Sequence, residues 1–172
     1  MKKVLLALAV LSASGTAHAH SASDAYLDLA VDKNAASTTT LIHGRWDIAL
    51  RDLDFVLKLD ESGDGQLTWG EIRRQQAAIE KYAYSHLLFE AGSAGSCGLK
   101  TIRQMIDNHA DGAYAALFFD VECRQWKKNV TVDYRLFFSI DPSHRAILVM
   151  HSAANVATAL LSPQNAKVGL EP

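Results

Sequence analysis

The chain alternates before it does anything else. From Ala25 to Asp32, Tyr26, Asp28 and Ala30 interleave with Leu27, Leu29 and Val31, a period of two that predicts a strand with one apolar face. A polar turn follows at Lys33-Asn34. The β-branched run from Thr38 to His43 predicts its partner strand. The period then lengthens. Ile48, Leu50, Leu53, Val56 and Leu57 recur at helical spacing, with Arg51, Asp52 and Asp54 on the other face. That helix runs into Asp60. A second helix opens near Trp69, turns Ile72, Ile79, Tyr82 and Ala83 inward, and fades near Ser85.

Beyond the helices the pattern is β-rich. His86 to Glu90 predicts a short strand, and Ala91 to Gly98 a loop. Thr101 to Asn108 fits helix or strand, and the turn signal Asp111-Gly112 after it favours strand. Ala113 to Cys123 and Val130 to Phe138 predict strands, Asp141-Pro142 a break, and Ala146 to His151 with Val156 to Leu161 a last pair. The expected fold is α+β: an antiparallel β-sandwich or curled sheet, with an EF-hand helix pair inserted at about 46–84.

The first residues change the picture of where this fold works. Lys2 and Lys3, the apolar stretch Val4 to Leu11, and Ala17-His18-Ala19 have the layout of a secretory signal over residues 1–19. The apolar stretch is far short of the roughly 20 residues that cross a bilayer. The mature chain, 20–172, is then expected to be a single domain, periplasmic or secreted, and not membrane-spanning. Losing Lys2 and Lys3 moves the formal net charge from -2 to -4, which gives no electrostatic footprint for nucleic acid.

Cys97 and Cys123 are the only cysteines. Export favours a disulfide between them. They lie at similar distances on either side of Asp111-Gly112, so a hairpin turning there brings them together. A metal pair and a catalytic thiol are the rival roles.

The densest chemistry lies in twelve residues. Asp60-Glu61-Ser62-Gly63-Asp64-Gly65-Gln66-Leu67-Thr68-Trp69-Gly70-Glu71 fits the EF-hand loop. Calcium takes six to eight oxygens. Asp60, Ser62 and Asp64 at positions one, three and five offer side-chain oxygens, and Gln66 at seven its carbonyl. Thr68 at nine acts directly or through a water, and Glu71 at twelve clamps with both oxygens. Gly65 at six permits the sharp turn. Leu67 is an apolar anchor, and Thr68 to Glu71 reads as a capping box opening the next helix. No second such loop is present, and only three ligands carry charge. A structural clip is therefore expected rather than a sensor.

Two other chemistries have residues to support them. His20, at the mature N-terminus, offers an amine and a ring to copper or nickel, with His43, His86, His109, His144 or His151 as a second ligand. Asp141-Pro142-Ser143-His144-Arg145 contains an acid, a nucleophile and a base for a hydrolase, or else a simple turn. No glycine-flanked nucleophile, phosphate loop or zinc motif accompanies them, and the expectation is that the chain is not an enzyme.

Several segments together resemble the exported soluble region of HupE/UreJ-type membrane proteins. They are His20 to Leu27, Gly44 to Asp54, the end of the calcium loop at Leu67-Thr68-Trp69-Gly70-Glu71, Asp111 to Tyr114, Asp133 to Phe138, and Asp141 to Arg145. In that family the region precedes transmembrane helices linked to transport of nickel or related metals. The present sequence carries no such block, as a soluble paralogue or a piece of a longer protein would. The resemblance implies an accessory or binding module with an envelope or membrane protein as partner. It carries over no catalytic residue.

Overall fold

A computed structural model describes residues 23–32, 39–92, 95, 97–124, 130–153 and 155–170. The expected signal segment, His20 and the Lys33-Asn34 turn lie outside them. The described chain runs β1 (Asp24–Asp32), β2 (Thr39–Ala49), α1 (Leu50–Leu57), α2 (Trp69–Arg74), α3 (Gln76–Tyr84), β3 (Leu87–Glu90), β4 (Gly98–His109), β5 (Gly112–Arg124), β6 (Val130–Tyr134), β7 (Arg145–His151), β8 (Val156–Leu161) and β9 (Lys167–Leu170). The class is α+β and strand-rich, as expected.

A six-stranded sheet has the order β4-β5-β2-β1-β7-β8, and a three-stranded sheet the order β3-β6-β9. All pairs are antiparallel except one. β1 pairs in parallel with β7, Ala25 opposite Ala146 and Leu29 opposite Met150. The purely antiparallel expectation is corrected there. A parallel pair needs a long crossover, and most of the chain supplies it.

The alternation along β1 buries Ala25, Leu27 and Leu29, which join Ile42, Trp46 and Ile48 of β2 and Leu117, Phe119 and Val121 of β5 in one core. The smaller sheet faces them. Trp46 meets Tyr134 edge-on with ring centroids 5.5 Å apart, and Phe89 lies 6.2 Å from Phe119. Leu53, Ile72, Ile79 and Ala83 complete the core from the helices. The opposite face of the large sheet carries the alternate residues: His43, Arg45 and Asp47 on β2, Tyr26 and Asp28 on β1, Ile147 and Val149 on β7.

The boundaries differ from expectation at four places. β2 continues through Trp46 and Ile48 to Ala49, so the helical insertion begins at Leu50 and not at 46. Trp46 and Ile48 point inward while Arg45 and Asp47 point outward, so the period of two persists four residues longer. The second helix divides at Gln75, whose amide is shared between the carbonyls of Glu71 and Ile72. β6 stops at Tyr134 because Phe137 takes a left-handed φ of 60°, which no strand accommodates. The β4–β5 hairpin turns on Ala110-Asp111, one residue earlier than the sequence suggests, with His109 opposite Gly112. The strand β9, with only four residues and a glycine, gave no alternation to read.

Cys97 and Cys123 form a disulfide with their Cα atoms 4.6 Å apart. It ties the entry to β4 to the end of β5, where the hairpin arms would otherwise splay.

Candidate metal centre

Asp60 to Glu71 connects α1 to α2. Lys58 ends α1 in the left-handed conformation, φ 56°, with its amide bonded to the carbonyl of Asp54. The next residue, Leu59, is fully buried and pins the chain to the core. The amide of Asp60 then donates to Asp54 Oδ1 at 2.9 Å, so the helix end and the loop start share one carboxylate.

Asp60 organises the first half of the loop. Its Oδ1 accepts from the amide of Gly63 at 2.8 Å and from the Ser62 hydroxyl at 3.1 Å, and its Oδ2 accepts from the amide of Gly65 at 2.8 Å. These bonds, Gly65 first, hold the Asp60 carboxyl below the usual carboxylate range. Gly63 and Gly65 have φ of 71° and 78°, values that cost a side chain strain and glycine nothing. Asp64 Oδ1 accepts the amide of Gln66 at 2.8 Å.

Glu71 closes the second half. Its Oε2 accepts from the Thr68 hydroxyl at 2.7 Å and from the Thr68 amide at 2.9 Å, while Thr68 Oγ1 accepts the Glu71 amide at 3.3 Å. This is the capping box expected from the sequence, and it starts α2 at Trp69. Glu71 Oε1 accepts the amide of Ser62 at 3.1 Å, which bridges the two halves. These bonds, the Thr68 hydroxyl foremost, pull the Glu71 carboxyl down to about 2. The residue is only 3% exposed.

A further link was not read from the sequence. Glu61 accepts from Arg74 Nε at 3.0 Å and from Gln75 Nε2 at 2.7 Å, binding the outside of the loop to the end of α2. Leu67 is half-buried against the core. Asp60, Asp64 and Glu71 do not bring their oxygens within 4.8 Å of one another. Among the described residues the ligand-type side chains that do so are Asp47, Asp107 and His109.

That second cluster sits on the outer face of the large sheet. Arg45 Nε and Nη2 reach both oxygens of Asp47, and Nη2 also bonds Asp107. His109 Nε2 lies 3.2 Å from Asp47 Oδ2, stacked on Tyr114 at 4.1 Å. One guanidinium thus already pairs with both carboxylates and offsets one of their two charges. Seeing this cluster needs the register across β5, where Ala116 is the small residue opposite both Asp47 and Met105.

The residues of the alternative hydrolase reading do not come together, and the segment is the turn that its Asp141-Pro142 start suggests. Asp141 Oδ1 accepts both the amide and the hydroxyl of Ser143, at 2.8 and 2.6 Å, which makes the segment a turn. His144 instead points inward and is fully buried. Its Nδ1 lies 2.7 Å from Ser23 Oγ and its Nε2 2.7 Å from the Tyr134 hydroxyl, while Ser23 donates to Asp52 Oδ2 at 2.7 Å. One directional chain satisfies every atom: Tyr134 to His144, His144 to Ser23, Ser23 to Asp52. Burial pushes the imidazole down to about 4, so it is neutral at pH 7. Ser23, Asp52 and Tyr134 were not singled out in the sequence, because they lie up to 121 residues from His144.

The histidines offered to copper are dispersed among other partners. His43 pairs with Asp120, His151 with Asp28, and His86 with the carbonyl of Tyr82. His20 is outside the described residues. No protein-family model matches the chain, and a search of curated proteins gives no match.

Proposed function

We propose that this chain is an exported calcium-binding domain, in which Asp60 to Glu71 acts as a single EF-hand loop and the ion is structural. The observation that carries the reading is the carboxylate of Asp60 gathering the amides of the two left-handed glycines, Gly63 and Gly65, while Glu71 stands buried at the far end of the same loop. The first half of the loop thus converges on the Asp60 carboxylate, and an ion would draw Asp64 and Glu71 toward it. Asp60 Oδ2 and Glu71 Oε1 each accept a single amide and keep a lone pair for a cation. Asp60, Ser62, Asp64, the Gln66 carbonyl, Thr68 and Glu71 are the oxygen donors, and their chemistry suits a hard ion.

Calcium there would offset two of the three carboxylate charges and tie α1 to α2 more firmly. Glu61, bound to Arg74 and Gln75, already joins loop and helix from outside. Leu53, Ile72 and Ile79 are committed to the core of the sheets, which favours a clip over a sensor. The disulfide agrees with an oxidising compartment. An envelope or membrane protein is the partner class that the resemblance to HupE/UreJ-type regions suggests. No described helix is long and apolar enough to cross a membrane.

The test is calorimetry on residues 20–172 with calcium, copper and nickel in separate titrations. One calcium per chain, with no stoichiometric copper or nickel, is expected. Stoichiometric copper or nickel without calcium would replace this reading by transition-metal handling through His20.

A further inference from the structure

We propose that β8 is a docking edge for a second copy of this chain, which pairs with it strand to strand. β8 ends the six-stranded sheet, and among the described residues no strand lies beyond it. Its sequence, Val156-Ala157-Thr158-Ala159-Leu160-Leu161, contains no charge, glycine or proline. It pairs with β7 residue for residue without a bulge. Val156 and Leu160 are 63% and 55% exposed. Edge strands ordinarily carry charges, bulges or prolines that prevent such pairing. The opposite edge does: β4 bears Lys100, Arg103 and Asp107 and a register shift between Thr101 and Arg103. β8 has none of these.

The backbone is oriented for the contact. In an antiparallel ladder, successive residues alternate between bonding the neighbour and facing away. The Ser152 amide donates to the Asn155 carbonyl at 2.9 Å, which sets the phase of the β7–β8 hairpin. Ala157, Ala159 and Leu161 therefore bond β7, and Val156, Thr158 and Leu160 turn their amides and carbonyls outward. The same phase is visible at Leu160, whose carbonyl accepts Asn165 Nδ2 at 2.9 Å from the turn after β8. That bond uses one lone pair of one carbonyl, and among the described residues no other strand pairs with this edge.

The occupant follows from the pattern. The outward residues read apolar, threonine, apolar, and they read the same in reverse. An antiparallel pair about a two-fold axis through Thr158 sets Val156 opposite Leu160 of the second copy, Leu160 opposite its Val156, and the two threonines face to face. Directly opposed residues point to the same face, so the two most exposed apolar side chains of β8 meet. Ile147 and Val149, on the same face of β7, extend the apolar strip. No like charges are brought together, because β8 has no charged side chain. A closed two-fold pair also leaves no further edge of this kind, so assembly stops at the dimer.

Sedimentation of the mature chain, with calcium present, tests this between about 1 µM and about 1 mM. A concentration-dependent twofold rise in mass is expected. Thr158→Lys sets two ammonium groups opposite each other at the axis. The double variant Val156→Lys, Leu160→Lys removes the apolar contact. Both should remain monomeric over the whole range with an unchanged circular dichroism spectrum, and Lys100→Glu on β4 should dimerise as the native chain does. A native chain that is monomeric throughout overturns the proposal, as does a dimer that survives both β8 changes.

Discussion

The amide of Ser62 donates to Glu71 Oε1 at 3.1 Å, so the third and twelfth residues of the loop are joined across its mouth. The same carboxylate holds Thr68 through its other oxygen. Glu71 is thus both a brace of the loop and its proposed bidentate ligand. Glu71→Gln is expected to remove most calcium affinity, because it takes away a charge and one of two clamping oxygens. Calorimetry decides this, and unchanged affinity would sink the loop assignment.

Calcium should stabilise without reshaping. At a hundredfold excess over Kd, binding to the folded state alone contributes about 2.7 kcal/mol, or a rise in Tm of about 5 to 10 °C. Leu53 and Ile79 are fully buried and Val56 packs against the same core, so no apolar groove is expected to open. A dye that reports apolar surface, read with chelator and then with calcium, should change little. A large gain in dye binding by a folded protein would favour a sensor instead.

His144 sets an acid limit on stability. Its folded pKa of about 4 lies below the ordinary 6.5, and the cause is burial. A base held neutral in the fold contributes stability that is fully present above pH 6.5 and is lost as the pH falls toward 4, because the unfolded chain takes up the proton first. The loss is on the order of 3 kcal/mol. Glu71 adds to it lower down. Its depressed carboxyl contributes above about 4.5, and that contribution disappears as the pH falls toward about 2. Denaturant unfolding from pH 7 to 4 checks the first window, with NMR titration of the His144 ring as the direct readout. A ring that titrates near 6.5 in the folded protein would refute it.

The disulfide should matter in proportion to the loop it closes. Its cysteines are 26 residues apart. The chain-entropy model gives about 3.5 kcal/mol for a loop of that size. Mass spectrometry of unreduced protein should find the pair two protons lighter than the reduced form. Reduction should lower Tm without unfolding the chain at 25 °C. Two freely alkylated thiols in unreduced material would contradict the pairing.

Gly44 tests the packing between β2 and β5. It lies opposite Phe119, and a Cβ added there would come 2.2 Å from the ring's Cζ. Phe119 is buried and cannot swing into solvent. Gly44→Ala should therefore cost about 1 to 3 kcal/mol through overpacking. An unchanged denaturation midpoint would show that the ring yields.

What could be read from the sequence was whatever a local pattern encodes. Strands with one buried face announced themselves by alternation, as β1 did with Leu27 and Leu29. The turn between the helices and its capping box were legible because Thr68 and Glu71 lie three residues apart in one run. The helix–strand boundary failed at Trp46 to Ala49, where Trp46, Ile48, Leu50 and Leu53 satisfy either period and only cross-strand pairing with β5 decides. Contacts between distant residues left no local trace. The parallel pairing of β1 with β7, the chain from Tyr134 through His144 and Ser23 to Asp52, and the Asp47–Asp107–His109 cluster all depend on register. The link from Glu61 to Arg74 and Gln75 lay only 13 and 14 residues away, yet nothing distinguished Glu61 from any solvated acid.

The parallel partnership of β1 and β7 has a consequence for how the chain reaches this structure. β1 is among the first elements made, yet it is an interior strand, and Ala25 finds Ala146 only after nearly all the rest has emerged. Contacts of such sequence separation close slowly, because the loop entropy is lost before the pairing rewards it. Until β7 arrives, one side of β1 is an open ladder. A chain emerging from its amino end should therefore stay incompletely folded until residue 151 is free, and a version ending at Asp141 should expose that side of β1 permanently.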